Sequence, residues 1–335
     1  MPEDDWAYEC STWDGFQRFV DTPVPAPPAP GAPPRSAQDK LAYHSRFVTV
    51  QTPAIDKVSR TVRTLMVLGR HQDTTARPSL IVTGPAACGK TTAILHIGRA
   101  CHLASHARAG ADASRDTVPV AYILVPPGAT AKTLAAEFAR YLGIPVTSRM
   151  TQAQITTAVC HTYAAARVRL VLIDEIHRLN PRTSTGADAA DLLKDLTERI
   201  RATFLYSGID VTDTPLFTSV RGQQLAARAS LIDTGALPLR HGTREPFRDL
   251  AAAMDNALDL NHHRPGTLPR LAGYLHSRTG GRIGSLSRLV RQAAITTILD
   301  GTERITRAVL DDIDLDHLAE EQHRPRTPAR TTARQ

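Results

Sequence analysis

The chain has little lysine, little cysteine and no long hydrophobic run. Only five of its 40 basic residues are lysine, set against 33 acidic residues in a length of 335. A membrane span needs ~20 consecutive apolar residues, and no run approaches that length. The first residues, MPEDDWAYE, are acidic, whereas a signal peptide starts basic and continues apolar. We therefore expect a cytoplasmic protein that does not enter a membrane.

The four cysteines are scattered along the chain. Cys10, Cys88, Cys101 and Cys160 form no CxxC pair and no His/Cys pairing at metal-ligand spacing, which argues against a disulfide framework and a zinc site. The remaining composition, 42% hydrophobic and 22% charged, is ordinary for a globular protein with a buried core. A formal net charge of +7 suggests an acidic partner such as nucleic acid, and a genomic bias toward arginine is the alternative explanation.

The two ends of the chain differ in composition from its middle. Residues 1–21 have six acids and one arginine and contain both tryptophans, and seven of residues 23–34 are proline. The last fourteen residues carry four arginines and no acid. We predict a disordered leader over residues 1–40, acidic and then proline-rich, and a disordered basic tail over 321–335.

One stretch of the leader has an apolar pattern. Trp13, Phe16 and Phe19/Val20 recur at helical spacing. A short amphipathic segment on a tether is a common way to dock onto another protein. Folding back onto the chain's own core is the alternative, and the sequence does not separate the two.

Five short apolar runs alternate with helical patterns in the middle of the chain. The runs are 79–84, 120–125, 169–174, 202–208 and 230–235. Continuous runs of this length are typical of buried parallel strands, and a repeated βα order predicts a parallel sheet covered on both faces. After residue 243 only helical patterns occur. We predict an α/β domain over residues 41–240 and a small all-helical domain over 241–320.

A phosphate-binding loop follows the first predicted strand. GPAACGKT matches G-x-x-x-x-G-K-[ST] from Gly84 to Thr91. In this motif the glycines let backbone amides wrap phosphates, Lys90 reaches the β- and γ-phosphates, and the Thr91 hydroxyl binds Mg²⁺. The predicted nucleotide-binding residues are Gly84, Pro85, Ala86, Ala87, Cys88, Gly89, Lys90, Thr91 and Thr92.

An acid pair ends the third predicted strand, RLVLIDE. Asp174 is predicted to orient the Mg²⁺ shell and Glu175 to polarise the attacking water, because ligands bind at the carboxyl ends of parallel strands. No N/T-K-x-D guanine-reading motif occurs, so ATP is favoured. His177 follows as in a helicase DEAH box, but no helicase-type arginine motif lies downstream, and a structural role is favoured for this histidine.

These segments together resemble the TniB/TnsC-type AAA+ ATPases, which are DNA-binding regulators of transposition. The resemblance covers residues 40 to 320 and rests on GPAACGKTT, VLIDEIHRL, FLYSGID, QQLAARA and GGRIGSLSRLVRQAA followed by DGTERIT. It implies a P-loop AAA+ three-layer domain with a parallel sheet, followed by a small all-helical lid. One departure is LPLRHG at 237–242, where the family often has a tryptophan shortly after LP.

The resemblance implies catalytic roles for further residues. Ser207 corresponds to the sensor-1 residue, on a strand between the P-loop strand and the acid-pair strand. Arg228 corresponds to the arginine finger that reaches a neighbouring subunit's ATP. Arg288, with Arg282 as the alternative, corresponds to sensor 2 of the lid. Each arginine is alternatively a surface residue in an arginine-rich chain.

The resemblance also implies partners. It predicts self-assembly into a ring or helical filament, binding to double-stranded DNA without sequence preference, and interaction with a transposase and an adaptor protein. The candidate DNA-binding residues are Arg99, Arg108, Arg115 and Lys132, for which a solvated charged face is the alternative. Two other functions stay open: a helicase-loader-like AAA+ ATPase, and a signalling or defence NTPase that holds ATP without useful turnover.

Overall fold

The chain forms two compact units. The computed structural model describes residues 9–29, 31–46, 50–72, 77–109, 117–179, 184–214, 217, 223–239, 245–317 and 319–320. One unit consists of Met1–Pro23 with Gln51–Thr234, and the other of Val24–Val50 with Gly235–Gln335. The second unit therefore begins slightly before the predicted boundary at residue 241. It also takes in residues 24–50, which the sequence divides between the leader and the α/β domain.

The helices and strands alternate as the apolar pattern predicts. In chain order they are α1 (Trp13–Asp21), α2 (Ala37–Ser45), α3 (Pro53–Leu68), β1 (Ser79–Thr83), α4 (Lys90–Ala109), β2 (Val120–Leu124), α5 (Ala131–Tyr141), α6 (Gln152–Ala165), β3 (Leu170–Asp174), α7 (Ser184–Arg199), β4 (Thr203–Ser207), α8 (Gln223–Ala226), β5 (Ala229–Asp233), α9 (Pro246–Asn256), α10 (Thr267–Arg270), α11 (Ala272–Thr279), α12 (Ile283–Leu299) and α13 (Arg307–Asp311). The five strands lie where the apolar runs predict them. The sequence pattern also predicts a helix over 214–227; half of these residues lie outside the described part, and α8 lies in the other half.

The five strands form one parallel sheet in the first unit. Their order is β2-β3-β4-β1-β5, so β4 lies between the P-loop strand β1 and the acid-pair strand β3. Every residue of β1, β3 and β4 is buried, which means that both faces of the sheet centre are covered. The predicted α/β class with a parallel sheet is thus confirmed. The carboxyl ends of β1, β3 and β4 meet at one edge, here called the carboxyl edge.

The leader contains a helix, which corrects the expectation of disorder over residues 1–40. Thr12 caps α1, accepting a hydrogen bond from the Gly15 amide at its hydroxyl (3.2 Å). The side chains of Phe16 and Val20 are 0% and 1% exposed and belong to the same hydrophobic core as the sheet. Of the two interpretations that the sequence left open, the structure has the leader helix folded onto its own core. Residues 1–8 lie outside the described part.

The second unit is built from α2 and helices α9 to α13. Its core includes Phe247, Leu275 and Leu289, all 0% exposed. Two contacts fix α2 in this unit: the Tyr43 hydroxyl donates to the Ala257 carbonyl (2.7 Å), and the Lys40 ammonium pairs with Glu303 (2.5 Å). Residues 37–45 are therefore part of a helical core, although the proline-rich composition just before them suggested a spacer.

Two observations apply to the described residues: one on membrane-spanning helices and one on the cysteines. No helix there has both the length and the apolar character that a membrane span requires. The four cysteines are free thiols.

Candidate functional site

The loop between β1 and α4 has the backbone conformation of a phosphate-binding loop. Gly84, Ala87 and Gly89 have positive φ angles of 144°, 60° and 77°. A side chain at residue 84 would also meet Thr234, whose Oγ1 lies 3.1 Å from an added Cβ. Loops of this shape turn successive backbone amides toward one concave surface, where they can bind an anion. The predicted loop residues 84–89 thus connect the carboxyl end of β1 to the first turn of α4.

Lys90 is the first residue of α4 and lies over this loop. Its ammonium donates to the carbonyl oxygens of Gly84 (2.8 Å) and Pro85 (2.6 Å). Burial lowers the pKa of Lys90, and electrostatic interactions with Cys88, Asp174 and other nearby acids oppose that shift. The ammonium is therefore positioned where phosphate oxygens would compete with the loop carbonyls for its protons.

Thr91 and Asp174 come together although 83 residues separate them. The Thr91 hydroxyl donates to Asp174 Oδ2 at 2.7 Å, and the Tyr122 hydroxyl donates to the same oxygen at 3.1 Å. The other oxygen, Oδ1, accepts the Glu175 amide (2.9 Å). Burial raises the pKa of Tyr122, with a further contribution from Asp174, so its hydroxyl stays a proton donor.

Tyr122 is a site residue that the sequence motifs did not indicate. It lies on β2, and its partner across the ladder to β3 is Leu172, two residues before Asp174. Only the pairing of β2 with β3 puts its hydroxyl within reach of the carboxylate. A tyrosine in a predicted buried strand is otherwise an ordinary core residue.

Glu175 is held by the two basic residues that follow it. Its Oε2 lies 3.3 Å from Arg178 Nε and 3.5 Å from His177 Nε2. Arg178 also donates to the Val125 carbonyl (2.9 Å), and His177 Nδ1 accepts the Ile209 amide (3.2 Å). Since Nδ1 accepts a hydrogen bond, a neutral His177 ring has its proton on Nε2, which faces Glu175. His177 thus links the acid pair to the loop after β4.

Ser207 ends β4 and pairs with Val82 of the P-loop strand. Its side chain is 0% exposed, and its hydroxyl makes no hydrogen bond with a residue that the structure describes. Gly208 follows, and an added Cβ there would approach Val211 and Ile176 to 2.8 and 2.9 Å. The close packing of these two loops requires glycine at residue 208. The sensor-1 role of Ser207 stays a prediction.

Arg228 lies at the opposite edge of the sheet. It directly precedes β5, and its carbonyl accepts the Ser79 amide at the start of β1 (3.0 Å). Five residues at ~3.3 Å each, or about 17 Å, separate this point from Gly84. Its guanidinium is 42% exposed and pairs with Glu198 (3.2 Å). Arg228 is therefore distant from the P-loop of its own chain, as a residue acting on a neighbour's nucleotide would be.

Arg288 and Arg282 belong to the second unit. Arg288 is exposed on α12, and Arg282 is half-buried at the residue that caps this helix. The Nη1 atom of Arg282 is buried without a hydrogen-bond partner among the described residues. The sensor-2 role of either residue stays a prediction.

The four candidate DNA-binding residues do not share one surface. The Arg99 guanidinium donates to the carbonyls of Val20 (2.9 Å) and Thr22 (2.8 Å), which accounts for it as an anchor of the leader helix. Lys132 donates to the Ser148 carbonyl (3.0 Å) in the first turn of α5, on the carboxyl-edge side. Arg108 is exposed at the other end of α4, and Arg115 lies outside the described residues.

The donor set of the site fits a nucleotide with Mg²⁺. Within the described residues no group of three or more His, Cys, Asp or Glu side chains forms a metal site. Mg²⁺ in nucleotide enzymes needs only one or two protein oxygens, since phosphates and waters complete its shell. The Thr91 hydroxyl and the Asp174 carboxylate, 2.7 Å apart beside the loop, supply those oxygens.

Solved structures of similar fold include ORC and Cdc6 proteins. The ORC1 protein of Aeropyrum pernix in complex with DNA matches at a TM-score of 0.56 and 16% identity, covering 80% of this chain and 65% of that chain. The ORC2 protein of the same organism, in ADPNP-ADP complexes, matches at 0.56 and 16%, covering 76% and 65%. Cdc6p from Pyrobaculum aerophilum matches at 0.55 and 13%, covering 78% and 66%. This chain thus spans slightly less than two thirds of each protein's length.

The sequence comparisons are more specific to one family. A search of curated proteins finds no match to this chain. The family model described as "Bacterial TniB protein" matches residues 40–231, which is more than half of the chain and includes the P-loop, the acid pair and Arg228. The chain therefore belongs to the bacterial TniB family.

Proposed function

We propose that this protein is an ATP-dependent, DNA-binding AAA+ ATPase that marks target DNA and recruits or activates a transposase. The observation that carries the proposal is the contact of Thr91 with Asp174 beside a phosphate-binding loop, with Glu175 next in the chain. Membership of the TniB family supports it. Two similar folds were solved with DNA or with nucleotides, which is consistent with the same pair of ligands here.

ATP would bind through the backbone of residues 84–89 and through Lys90. The loop amides would donate hydrogen bonds to phosphate oxygens, and the Lys90 ammonium would exchange the carbonyls of Gly84 and Pro85 for phosphate. The Thr91 hydroxyl and the Asp174 carboxylate would hold Mg²⁺, and the hydrogen bond from Tyr122 fixes that carboxylate. When bound, Mg²⁺ neutralises charge on the β- and γ-phosphates.

Glu175 would orient the attacking water and accept its proton. Its carboxylate is 28% exposed, so it is open to water, and Arg178 and His177 restrict its position. The hydrogen bond from the Ile209 amide to His177 connects that position to the loop that follows Ser207. A change in Ser207 on binding the γ-phosphate would therefore reach the catalytic carboxylate through one histidine ring.

Arg228 would act on the ATP of a neighbouring subunit, because its own P-loop lies at the other end of the sheet. Such a head-to-tail contact closes into a ring or propagates as a helical filament. The guanidinium would stabilise the charge that develops on the transferred phosphoryl group.

Mixing two inactive variants tests the action of Arg228 between subunits. Arg228→Ala alone is expected to lower ATP hydrolysis by ~10³-fold, since a missing arginine finger costs about that much. Lys90→Ala alone is expected to lose ATP binding. Mixed oligomers contain intact sites, with Lys90 from one subunit and Arg228 from the next, so the mixture should recover a measurable part of the wild-type steady-state rate.

The control mixes Arg228→Ala with a double variant that lacks both residues. This second mixture contains no complete site and should stay inactive. Equal activity in the two mixtures, or full activity of Arg228→Ala alone, would show that Arg228 does not act in trans.

DNA-dependent turnover tests the proposed function as a whole. We expect duplex DNA to stimulate ATP hydrolysis and a non-hydrolysable ATP analogue to retain both the protein and its cognate transposase on DNA. Retention of a replicative helicase in place of the transposase would instead indicate a helicase loader. Turnover unaffected by DNA, together with no retention on DNA, would indicate a signalling or defence switch.

A further inference from the structure

Four neighbouring strands of the sheet begin beside an arginine. Arg169 directly precedes β3 and Arg228 directly precedes β5, while Arg201 and Arg77 lie two residues before β4 and β1. The strand order β3-β4-β1-β5 places these four arginines in one row, at the edge opposite the nucleotide site.

Hydrogen bonds to backbone carbonyls hold the members of this row beside one another. The Thr203 amide donates to the Arg169 carbonyl (2.9 Å), and the Ser79 amide donates to the Arg228 carbonyl (3.0 Å). The Arg77 guanidinium donates to the Arg201 carbonyl. Neighbouring strands lie ~4.8 Å apart, so the row is about 14 Å long.

Helix ends add further arginines to the same edge. In a βα repeat the helices run back to the starts of the strands, so α4, α6 and α7 end here. We define the amino edge as residues 69–72, 77–79, 105–109, 117–120, 164–170, 195–203 and 226–229. These ranges contain eight arginines, namely Arg70, Arg77, Arg108, Arg167, Arg169, Arg199, Arg201 and Arg228, and two acids, Asp195 and Glu198, which pair with Arg199 and Arg228.

The pKa of a nearby thiol supports this arrangement. Burial raises the pKa of Cys101 on α4 to about 11, and Arg169 and Arg108 oppose the shift. Both guanidinium groups are therefore close to the same stretch of α4.

The helix dipole explains part of this charge but not the row itself. A cation at a helix C-terminus gains ~0.3–1 kcal/mol, which suits Arg108, Arg167 and Arg199. Arg169 leads into a strand, where the net dipole is small. It is exposed and forms no ion pair with a described residue. The position of Arg169 is thus not accounted for by the helix ends of this unit.

We propose that the amino edge binds the phosphate backbone of duplex DNA, with Arg167, Arg169 and Arg201 contacting phosphates and Arg108 extending the surface. The inference rests on the proposed DNA-binding function and locates its binding surface. Arg77 positions the row, since its side chain packs 3.2 Å from the place a Cβ would take on Gly69 and its guanidinium contacts Arg201. Arg228 is not assigned a DNA contact, because its proposed role is at the nucleotide of the neighbouring subunit.

Charge and surface composition favour nucleic acid over an acidic polypeptide. Guanidinium groups match phosphate geometry with two parallel hydrogen bonds, and a regular row suits a regularly charged backbone. Stable protein interfaces bury an apolar core. Of the exposed large hydrophobic residues of the described chain, Leu68 and Leu103 border the amino edge, and none lies at the start of these four strands.

The test compares two double variants of the full-length chain. Arg169→Gln/Arg201→Gln removes two charges from the row, and Arg60→Gln/Arg63→Gln removes two charges from the exposed face of α3. DNA binding is measured by fluorescence anisotropy of a labelled duplex, with a non-hydrolysable ATP analogue, over a series of salt concentrations. The row variant should bind at least ~10-fold more weakly, and the slope of log K against log salt should fall by about 2. The α3 variant should match the wild type.

Other outcomes separate this inference from the function on which it rests. Wild-type protein that binds no duplex overturns both. A wild type that binds while the row variant keeps its affinity and salt slope overturns the amino edge alone, as does an equal loss in the α3 variant. Equal competition by polyglutamate and duplex for the wild type would assign the edge to acidic polypeptides and overturn the inference.

Two further measurements guard against loss of the fold. ATP hydrolysis without DNA should be unchanged in the row variant. The charge-conserving Arg169→Lys/Arg201→Lys variant should keep most of the salt slope, because lysine still neutralises phosphate. If the lysine variant loses the slope as fully as the glutamine variant, phosphate neutralisation is not the role of these residues.

Discussion

Replacing Glu175 by glutamine should lower the rate of ATP hydrolysis by ~10²–10⁴-fold and leave ATP binding nearly unchanged, since general-base catalysis contributes about that factor. Glutamine has almost the same shape as glutamate but cannot accept the proton of the attacking water. The groups that would bind the nucleotide, Lys90 and the Thr91–Asp174 pair, are not altered. Steady-state turnover and the affinity for a fluorescent ATP analogue measure the two effects separately.

The folding cost of this substitution is expected to be small. Glu175 is 28% exposed and pairs with Arg178, which is 33% exposed. Pairs with this much exposure contribute about 0–1 kcal/mol. Glu175→Gln should therefore unfold at nearly the wild-type denaturant midpoint, and a large fall in that midpoint would mean that the carboxylate is structural.

A neighbouring acid provides the matched control. Asp210 lies near Lys90 at the same edge of the sheet, in a left-handed turn after β4. Asp210→Asn makes the same change from carboxylate to amide and should retain most of the activity. Loss of turnover in both variants would point to a general effect of negative charge at this edge. Near-normal turnover in Glu175→Gln would rule out its role as the base.

The arrangement of the candidate nucleotide site was largely predictable because its residues lie in contiguous motifs. Residues 84–91 specify a loop whose glycines and lysine have local roles, and the strand before it has an unambiguous apolar pattern. Asp174 and Glu175 follow from the same logic at the end of another strand. What the sequence could not give was Tyr122, because its contact with Asp174 depends on which strand lies beside β3.

The amino edge was hidden for the same reason. Arg77, Arg169 and Arg201 are far apart in sequence, and each looks like one more arginine in an arginine-rich chain. Strand order alone makes them neighbours. Two of the DNA-binding candidates from the sequence, Arg99 and Lys132, have side chains that donate hydrogen bonds to carbonyls away from this edge.

Disorder was wrongly predicted for the whole leader because its acidic and proline-rich composition was given more weight than its apolar spacing. The acids and prolines of residues 1–40 are typical of disorder. Yet Thr12 is a good N-cap, and Phe16 and Val20 occur at i, i+4, which gives α1 one apolar side. Gly98 of α4 completes the fit, since an added Cβ there would meet Phe16 Cζ at 3.2 Å and Leu172 Cδ1 at 2.7 Å. The helix has a matching surface that no local pattern reveals.

Phe16→Ala should destabilise the first unit by ~3–5 kcal/mol, the usual cost of removing a buried phenylalanine. The ring is 0% exposed and lies among aromatic neighbours, with centroid distances of 6.1 Å to His102 and 6.5 Å to Tyr141. The loss should also free α1, which Arg99 then holds only through the carbonyls of Val20 and Thr22. Urea unfolding of the full chain measures the first effect.

Tryptophan fluorescence measures the release of α1 from the core. The chain has two, at positions 6 and 13, so tryptophan emission comes from the leader alone. Trp13 contacts His102 and Tyr141 at centroid distances of 5.5 and 6.5 Å, and its emission should shift to the red in Phe16→Ala as α1 leaves the core. Phe19→Ala, at a half-buried position of the same helix, is the control and should have a smaller effect on both measurements.

If Phe16→Ala kept wild-type stability and emission but weakened transposase capture, the leader would be a docking segment that leaves the core in solution. Loss of stability with capture unchanged would instead make α1 a structural part of the ATPase unit, held against the helix that begins with Lys90.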